Sequence, residues 1–354
     1  MADLAKLLED KGVLLADGAT GTNLFEMGLT SGDAPEMWIE EHPDRIRTLH
    51  KWFLDAGSDI ILTNTFGCNA RRLMLHNMQD QVHALNKRAA ELAREEADKA
   101  GRPIVVAGSV GPTGDLFAPL GPITEDDARE VFKEQIAGLK EGGVDVVWIE
   151  TMSAAEEIRA AVNAAIDLGM PYVFTASFDT AGRTMMGIKP EQLVDLANEF
   201  SQKPIAIGAN CGVGASDLLM SVLGMDAARH GIAPIIVAKA NCGIPRVKGD
   251  KVEYTGTPDL MERYAHMAID AGARIIGGCC GTAPEHLKAM RAAIDAHKAG
   301  DKPTLETVTA DIGPLQAPPN ESAEASGEAR RSRRRRGRVR ARTIPPWAPR
   351  HVRG

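Results

Sequence analysis

Residues 273–281 read Ala-Arg-Ile-Ile-Gly-Gly-Cys-Cys-Gly, a short apolar run closed by glycines around an adjacent pair of cysteines. Ala273 to Ile276 has the length and composition of a strand. The segment Ala283–Ala299 behind it carries apolar residues at helical spacing. The same strand-then-helix unit recurs along the chain. Strand candidates lie at Val13–Asp17, Asp59–Thr63, Ile104–Gly108, Val144–Ile149, Tyr172–Ser177, Ile205–Ala209, Pro234–Ala238 and Arg274–Ile276. Amphipathic stretches such as Gln79–Ala100, Glu125–Gly142 and Pro258–Gly272 separate them. Val105-Val106, Val146-Val147 and Ile235-Ile236-Val237 are unbroken β-branched runs, as expected of parallel strands buried on both faces. Eight such units over about 300 residues predict one (β/α)8 TIM barrel. A doubly wound open sheet is the alternative, but the glycines after the first strand do not form a dinucleotide fingerprint.

In such a barrel the chemistry gathers where strands end. Those ends carry Asp17-Gly18, Thr63-Asn64-Thr65, Ser109, Glu150-Thr151, Ser177, Asn210-Cys211, Asn241-Cys242 and Cys279-Cys280. Adjacent cysteines in a regular strand point to opposite faces. The surrounding glycines relax the backbone so that both sulfurs turn to one point. The sixth and eighth strands are two apart in the ring, roughly 10 Å, so Cys211 can join Cys279 and Cys280. Three thiolates with an open fourth position are the pattern of a working zinc site. Such an electron-rich centre suits a further thiol, which coordination deprotonates at neutral pH. Glu150 is placed to hold a substrate ammonium, and Asp17-Gly18 offers a carboxylate and backbone N–H groups to an amino acid. Together these groups suit an amino acid that bears a thiol.

Plainer readings stand beside these. Cys211 alone reads as a small buried apolar residue, Gly277-Gly278 as a phosphate loop, and Glu150 as half of a structural pair. Cys68 and Cys242 follow strand ends too, as further ligands or bystanders. His76, His83 and His286 lie on helical segments and read as facing solvent.

Composition bounds the rest. With 44% apolar and 25% charged residues the chain is a globular protein without an apolar run long enough to span a bilayer. Its start has no secretory pattern, and five cysteines are expected as reduced thiols in the cytoplasm. The net charge of −7 hides a division. From Arg330 onward there are 11 arginines and no acids, which leaves 30 basic against 48 acidic side chains before it, a charge of −18. The organisation expected is a barrel over 1–300, a Pro/Ala/Ser/Glu-rich linker over 301–329 and a disordered basic tail over 330–354. Nucleic acid could engage that tail alone, which lacks interleaved aromatics.

These motifs resemble the homocysteine S-methyltransferase family across residues 10 to 298. The family includes betaine–homocysteine methyltransferases and the homocysteine module of cobalamin-dependent methionine synthase. The resemblance is carried by Asp17-Gly18-Ala19-Thr20-Gly21-Thr22, Leu62-Thr63-Asn64-Thr65-Phe66, Gly111-Pro112-Thr113, Ile149-Glu150-Thr151, Gly208-Ala209-Asn210-Cys211 and Gly277-Gly278-Cys279-Cys280-Gly281-Thr282. It implies that Cys211, Cys279 and Cys280 bind one zinc ion and that the homocysteine thiol completes the site. It also implies that Asp17, Gly18, Thr63 and Glu150 contact the amino-acid end of homocysteine. Asn241 is similar to an asparagine that takes the fourth zinc position before substrate arrives.

The resemblance leaves two donors open. Betaine-using members hold the quaternary ammonium with aromatic rings, as cation–π binding requires. Here Gly67 stands where those enzymes carry a tyrosine, with Trp38 and Phe66 as the aromatics available. The implied activity is conversion of homocysteine to methionine with glycine betaine or a related methyl-onium compound. The alternative is a homocysteine-activating subunit that receives methyl from methylcobalamin on a separate corrinoid protein. No cobalamin-binding segment is read in the 354 residues. A homo-oligomer is compatible with either, as is a non-catalytic zinc or RNA-binding protein that uses the tail.

Overall fold

A computed structural model describes residues 2–30, 32–229, 234–248 and 251–319, with side chains omitted at 245–248 and 251–253. Eight parallel strands form a nearly closed barrel. They are β1 (Leu14–Leu15), β2 (Ile60–Leu62), β3 (Val105–Val110), β4 (Val146–Met152), β5 (Tyr172–Ala176), β6 (Ala206–Cys211), β7 (Ile235–Ala240) and β10 (Ala273–Gly278). An antiparallel hairpin, β8 (Pro245–Lys248) with β9 (Lys251–Tyr254), is inserted after β7. The ring runs β1-β10-β7-β6-β5-β4-β3-β2. The (β/α)8 expectation holds, and all eight anticipated strands are present.

Period-two alternation sorts each strand between two cores. Leu14, Ala16, Ile60, Leu62, Val105, Ala107, Val146, Trp148, Val173, Ala206, Val237 and Ile275 fill the inside of the barrel. Their neighbours, among them Leu15, Ile61, Val106, Val147, Phe174, Ile207, Ile236 and Ile276, face the surrounding helices. A helix that periodicity did not single out, Leu4–Lys11, closes the lower end. Its Leu4, Leu7 and Leu8 recur at helical spacing and join the interior cluster, and Asp3 caps it by accepting from Ala5 and Lys6 N–H.

The β1–β2 seam is the weak joint, because β1 is two residues long. One bridge, Ala16 with Ile60, closes it. Two buried aspartates supplement that bridge. Leu15 N–H donates to Asp59 Oδ2 at 3.0 Å near the lower end, and Leu62 N–H donates to Asp17 Oδ2 at 2.7 Å near the upper. Each carboxylate supplies a backbone donor with the acceptor that the short strand cannot offer.

Residues Met1–Ala317 form one compact unit, and Pro318–Gly354 a second of which only 318–319 are described. Within 301–329, read from composition as linker, helix Leu305–Asp311 buries Val308. The chain behind it is tied down where Ser216 Oγ donates to Gly313 O, and where Gln316 and Ala317 N–H donate to Asp217. The tail at 330–354 lies outside the described residues. Among those described, no helix is long and apolar enough to cross a membrane.

Candidate metal centre

The upper end of the barrel brings three cysteine sulfurs together. Cys211 closes β6, and Cys279-Cys280 directly follow β10, two places away in the ring. Their Sγ atoms all lie within 4.8 Å of one another, the only such group of potential ligands among the described residues. Tetrahedral zinc–thiolate geometry asks for sulfurs about 3.8 Å apart, so small rotations about Cα–Cβ suffice to meet one ion. Local backbone makes the convergence. Cys211 takes the left-handed region at φ 61°, which turns its side chain out of the strand pleat. Cys279 N–H donates to Ala240 O at 2.7 Å, and Cys280 O accepts from Cys242 N–H at 2.9 Å.

The glycines work differently from the expectation. Only Gly281 is left-handed, at φ 80°. Gly277 and Gly278 are needed for space: a Cβ on Gly278 would sit 2.2 Å from the Thr282 side chain, which is fully buried.

The thiols also show what the cluster lacks. Hydrogen bonds from Cys211 and then Cys279 push Cys280 down to about 3. Cys211 is pushed far up, first by its hydrogen bonds to Cys279 and Cys280. One negative charge is shared, and each further ionisation meets repulsion. A divalent cation at the centre is what permits three thiolates. Asn241 adds a second sign. Its Nδ2 donates to Gly212 O at 2.7 Å, while its Oδ1 is buried with no partner among the described residues. The donor set and this orphaned acceptor fit a metal ion.

Beneath the sulfurs lies a polar layer that alternation aims inward, one step above Ala107, Trp148, Val173 and Val237. It comprises Ser109, Glu150, Thr175 and Lys239, all buried. Glu150 Oε1 accepts from Ser109 Oγ at 2.6 Å, and its other oxygen has no hydrogen-bond partner among the described residues. Burial pushes Glu150 up to about 7, with the charge of Lys239 opposing and that of Cys279 adding. Thr63 Oγ1 accepts from Ser109 N–H at 3.0 Å and pairs with Thr65 at 2.6 Å. Gly18 packs where a Cβ would come 2.6 Å from Thr282 O.

Asp17 is committed elsewhere. Besides its seam bond it holds Lys239 Nζ at 2.7 Å, with both side chains almost wholly buried. Each of its oxygens thus carries one hydrogen bond. Lys239 was missed at the sequence level, although a lone lysine inside the apolar run Ile235–Ala240 was signal enough. Asn210 was noted without a role. Its Oδ1 accepts from Thr151 N–H at 2.8 Å and Thr175 Oγ1 at 2.6 Å, and its Nδ2 points to Cys279 Sγ at 3.9 Å. Tyr254, delivered by the unanticipated hairpin, packs over Gly281 beside Cys280.

Cys68 and Cys242 stand outside the sulfur group, both buried. His286 does not face solvent: it is buried, and its Nδ1 accepts from Ala283 N–H at 3.0 Å. Trp38 is closed to ligands, being 5% exposed with the Arg45 guanidinium 4.5 Å over its ring. Phe66 remains 39% exposed at the mouth.

A nearly closed parallel barrel with three convergent thiols at its carboxyl end defines a TIM-barrel protein with a candidate metal centre where such folds place their chemistry. The chain belongs to the homocysteine S-methyltransferase family, which it matches over residues 14–294. It is 31% identical over 320 residues to methionine synthase of Mycobacterium leprae (strain TN), covering 86% of this chain and 26% of that protein. It is also 31% identical over 308 residues to methionine synthase of Mycobacterium tuberculosis (strain ATCC 25618 / H37Rv), covering 82% and 25%. The chain thus spans about a quarter of the length of these relatives. Among solved structures it is similar to the metallated homocysteine methyltransferase MmuM of Escherichia coli, with TM-score 0.69 and 24% identity over 81% of this chain and 98% of that one.

Proposed function

We propose that this protein is a zinc-dependent S-methyltransferase that converts homocysteine to methionine, with Cys211, Cys279 and Cys280 as zinc ligands and Asn241 as a fourth while substrate is absent. The observation that carries the reading is the meeting of three sulfurs beside Glu150, a buried carboxylate with an oxygen to spare. Zinc held there would deprotonate an arriving thiol and keep it nucleophilic at neutral pH.

The chain's own residues supply the rest. Lys239 cancels Asp17, so Glu150 is left as the anionic partner for the substrate ammonium. Thr63 and Gly18 border the amino-acid end, and the depth of the polar layer below the sulfurs orients the thiol outward toward the mouth. The thiolate sulfur takes the methyl group, and the donor leaves with the bonding pair.

Glu150 gives a pH test. A carboxyl raised to about 7 is mostly neutral below that pH and cannot hold an ammonium, so homocysteine KM is expected to fall as pH rises from 6 to 8. Glu150→Gln should raise KM roughly 10- to 100-fold, the loss of a charged hydrogen bond, and remove this step from the profile. Between 4.5 and about 7 the carboxyl ionises in the unfolded chain while the native one keeps its proton, so stability falls across this window and the Gln variant without metal should melt higher above pH 7. Unchanged KM and profile would remove Glu150 from the site.

For the donor, a methyl-onium compound is the leading reading. Betaine itself has thin support, since cation–π binding wants open aromatic faces and Trp38 is occupied. One observation favours the alternative of methylcobalamin on a corrinoid partner protein. Of ten exposed large apolar side chains among the described residues, eight lie in the connections that follow strand ends on the sulfur side, including Phe25, Phe66, Leu116, Leu120 and Met185. A rim of this kind suits a macromolecular visitor. The deciding assay gives zinc-loaded protein homocysteine with betaine, a methylsulfonium compound, or a methylated corrinoid protein. Methionine from an onium donor alone supports the first reading, and methionine only with the corrinoid protein replaces it with the second.

A further inference from the structure

At the opposite end of the barrel an open cavity of about 660 Å³ lies among the starts of β1, β2 and β3. It is lined by Lys11, Asp59, Arg102, Arg291, Asp295 and His297, among others. Asp59 is buried, and its oxygens are filled by Leu15 N–H at 3.0 Å, Lys11 Nζ at 2.6 Å and Arg291 Nη1 at 3.0 Å. Arg102 arrives too late: its Nη1 stands 3.6 Å from Asp59 Oδ1, beyond a hydrogen bond, and only its Nη2 is used, on Leu54 O and Ser58 O. Arg291 spends Nη2 on Asp295 at 2.6 Å and has an Nε without any partner. Lys11 has one acceptor for its three N–H groups and is partly open to solvent. Three cations therefore share two carboxylates, and their donors outnumber the acceptors. This happens in a body that is otherwise acidic. Lys11 and Arg291 already fill Asp59, so Arg102 stands beside it as a third cation, its guanidinium held below its usual value by burial and Arg291, with the Asp59 charge opposing.

We propose that this cavity is a second ligand site, separate from the sulfur centre, that takes a small phosphate dianion, free or as a phosphate monoester. The dianion's oxygens accept from Arg102 and Lys11, whose spare donors join the unused Nε of Arg291 in the cavity lining. The three cations exceed the two carboxylates by one positive charge, and that excess together with the unused N–H donors is what draws a phosphate. The cavity is larger than inorganic phosphate, which leaves room for a short organic substituent. Asp295, at the cavity edge, opposes an anion and sets a limit on affinity.

The test uses the full-length, zinc-loaded protein. Inorganic phosphate and glycerol phosphate are titrated against sodium chloride of matched ionic strength, and the thermal midpoint and heat of binding are followed. Saturable stabilisation by phosphate or glycerol phosphate but not chloride is expected, growing with ligand as mass action requires. Asp295→Asn should tighten binding several-fold and Arg102→Gln should weaken it by roughly 10-fold or more, the worth of a charged hydrogen bond. Methyl transfer should be unchanged in both. Should Arg102→Gln fail to fold, Asp295→Asn decides alone, because it leaves all three cations in place. No saturable response to either compound, or equal affinity in native and Asp295→Asn proteins, overturns the proposal.

Discussion

Replacing Cys279 by alanine is expected to abolish zinc retention and methionine formation together while the barrel still folds. Substitutions one shell away from a metal typically cost 10- to 100-fold in metal affinity, so loss of a direct ligand should cost at least ~100-fold. The fold tolerates the change because the N–H bond of Cys279 to Ala240 O holds its backbone and is kept in the alanine variant. Cys211→Ala and Cys280→Ala should behave alike. Cys68→Ala and Cys242→Ala, outside the sulfur group, should keep stoichiometric metal. Metal analysis after dialysis, circular dichroism and a turnover assay separate these outcomes. A Cys279 variant that holds one zinc and turns over normally would contradict the assignment.

Lys239→Met is expected to have the largest effect on stability. It leaves the Asp17 carboxylate buried without its 2.7 Å partner at the seam where β1 and β2 barely pair. Breaking a buried ion pair from one side costs about 3–5 kcal/mol, because the remaining charge stays desolvated. Chemical denaturation at pH 8 measures it. Asp17→Asn in the same chain should restore much of the loss, since an amide oxygen still accepts from Leu62 N–H and carries no charge. A single-variant loss below about 1 kcal/mol would show that the pair does not secure the seam.

The eight strands were legible because parallel barrel strands are buried on both faces and read as continuous apolar runs. The sulfur cluster was legible for a related reason: cysteines beside glycines at two strand ends have few other uses. The roles assigned below them were less secure. Asp17 stood at a strand end as a substrate contact would, and the structure adds two partners that spacing did not announce, Leu62 N–H and Lys239. Nothing in linear spacing reveals that β1 is too short to close the ring by itself. Lys239 lay in plain view, but its partner is 222 positions away. Hairpin β8–β9 and the Tyr254 it carries were invisible because two four-residue strands between β7 and the next helix leave almost no periodic signal. Helix Leu305–Asp311 is short and buries a single apolar side chain, so composition alone read it as linker.

The most direct measurement is X-ray absorption at the zinc edge of the purified protein, with and without homocysteine. Three sulfur neighbours at about 2.3 Å plus one lighter atom are expected without substrate, becoming four sulfurs when homocysteine is added. Fewer than three sulfurs in the starting protein, or a first shell indifferent to homocysteine, would contradict the account.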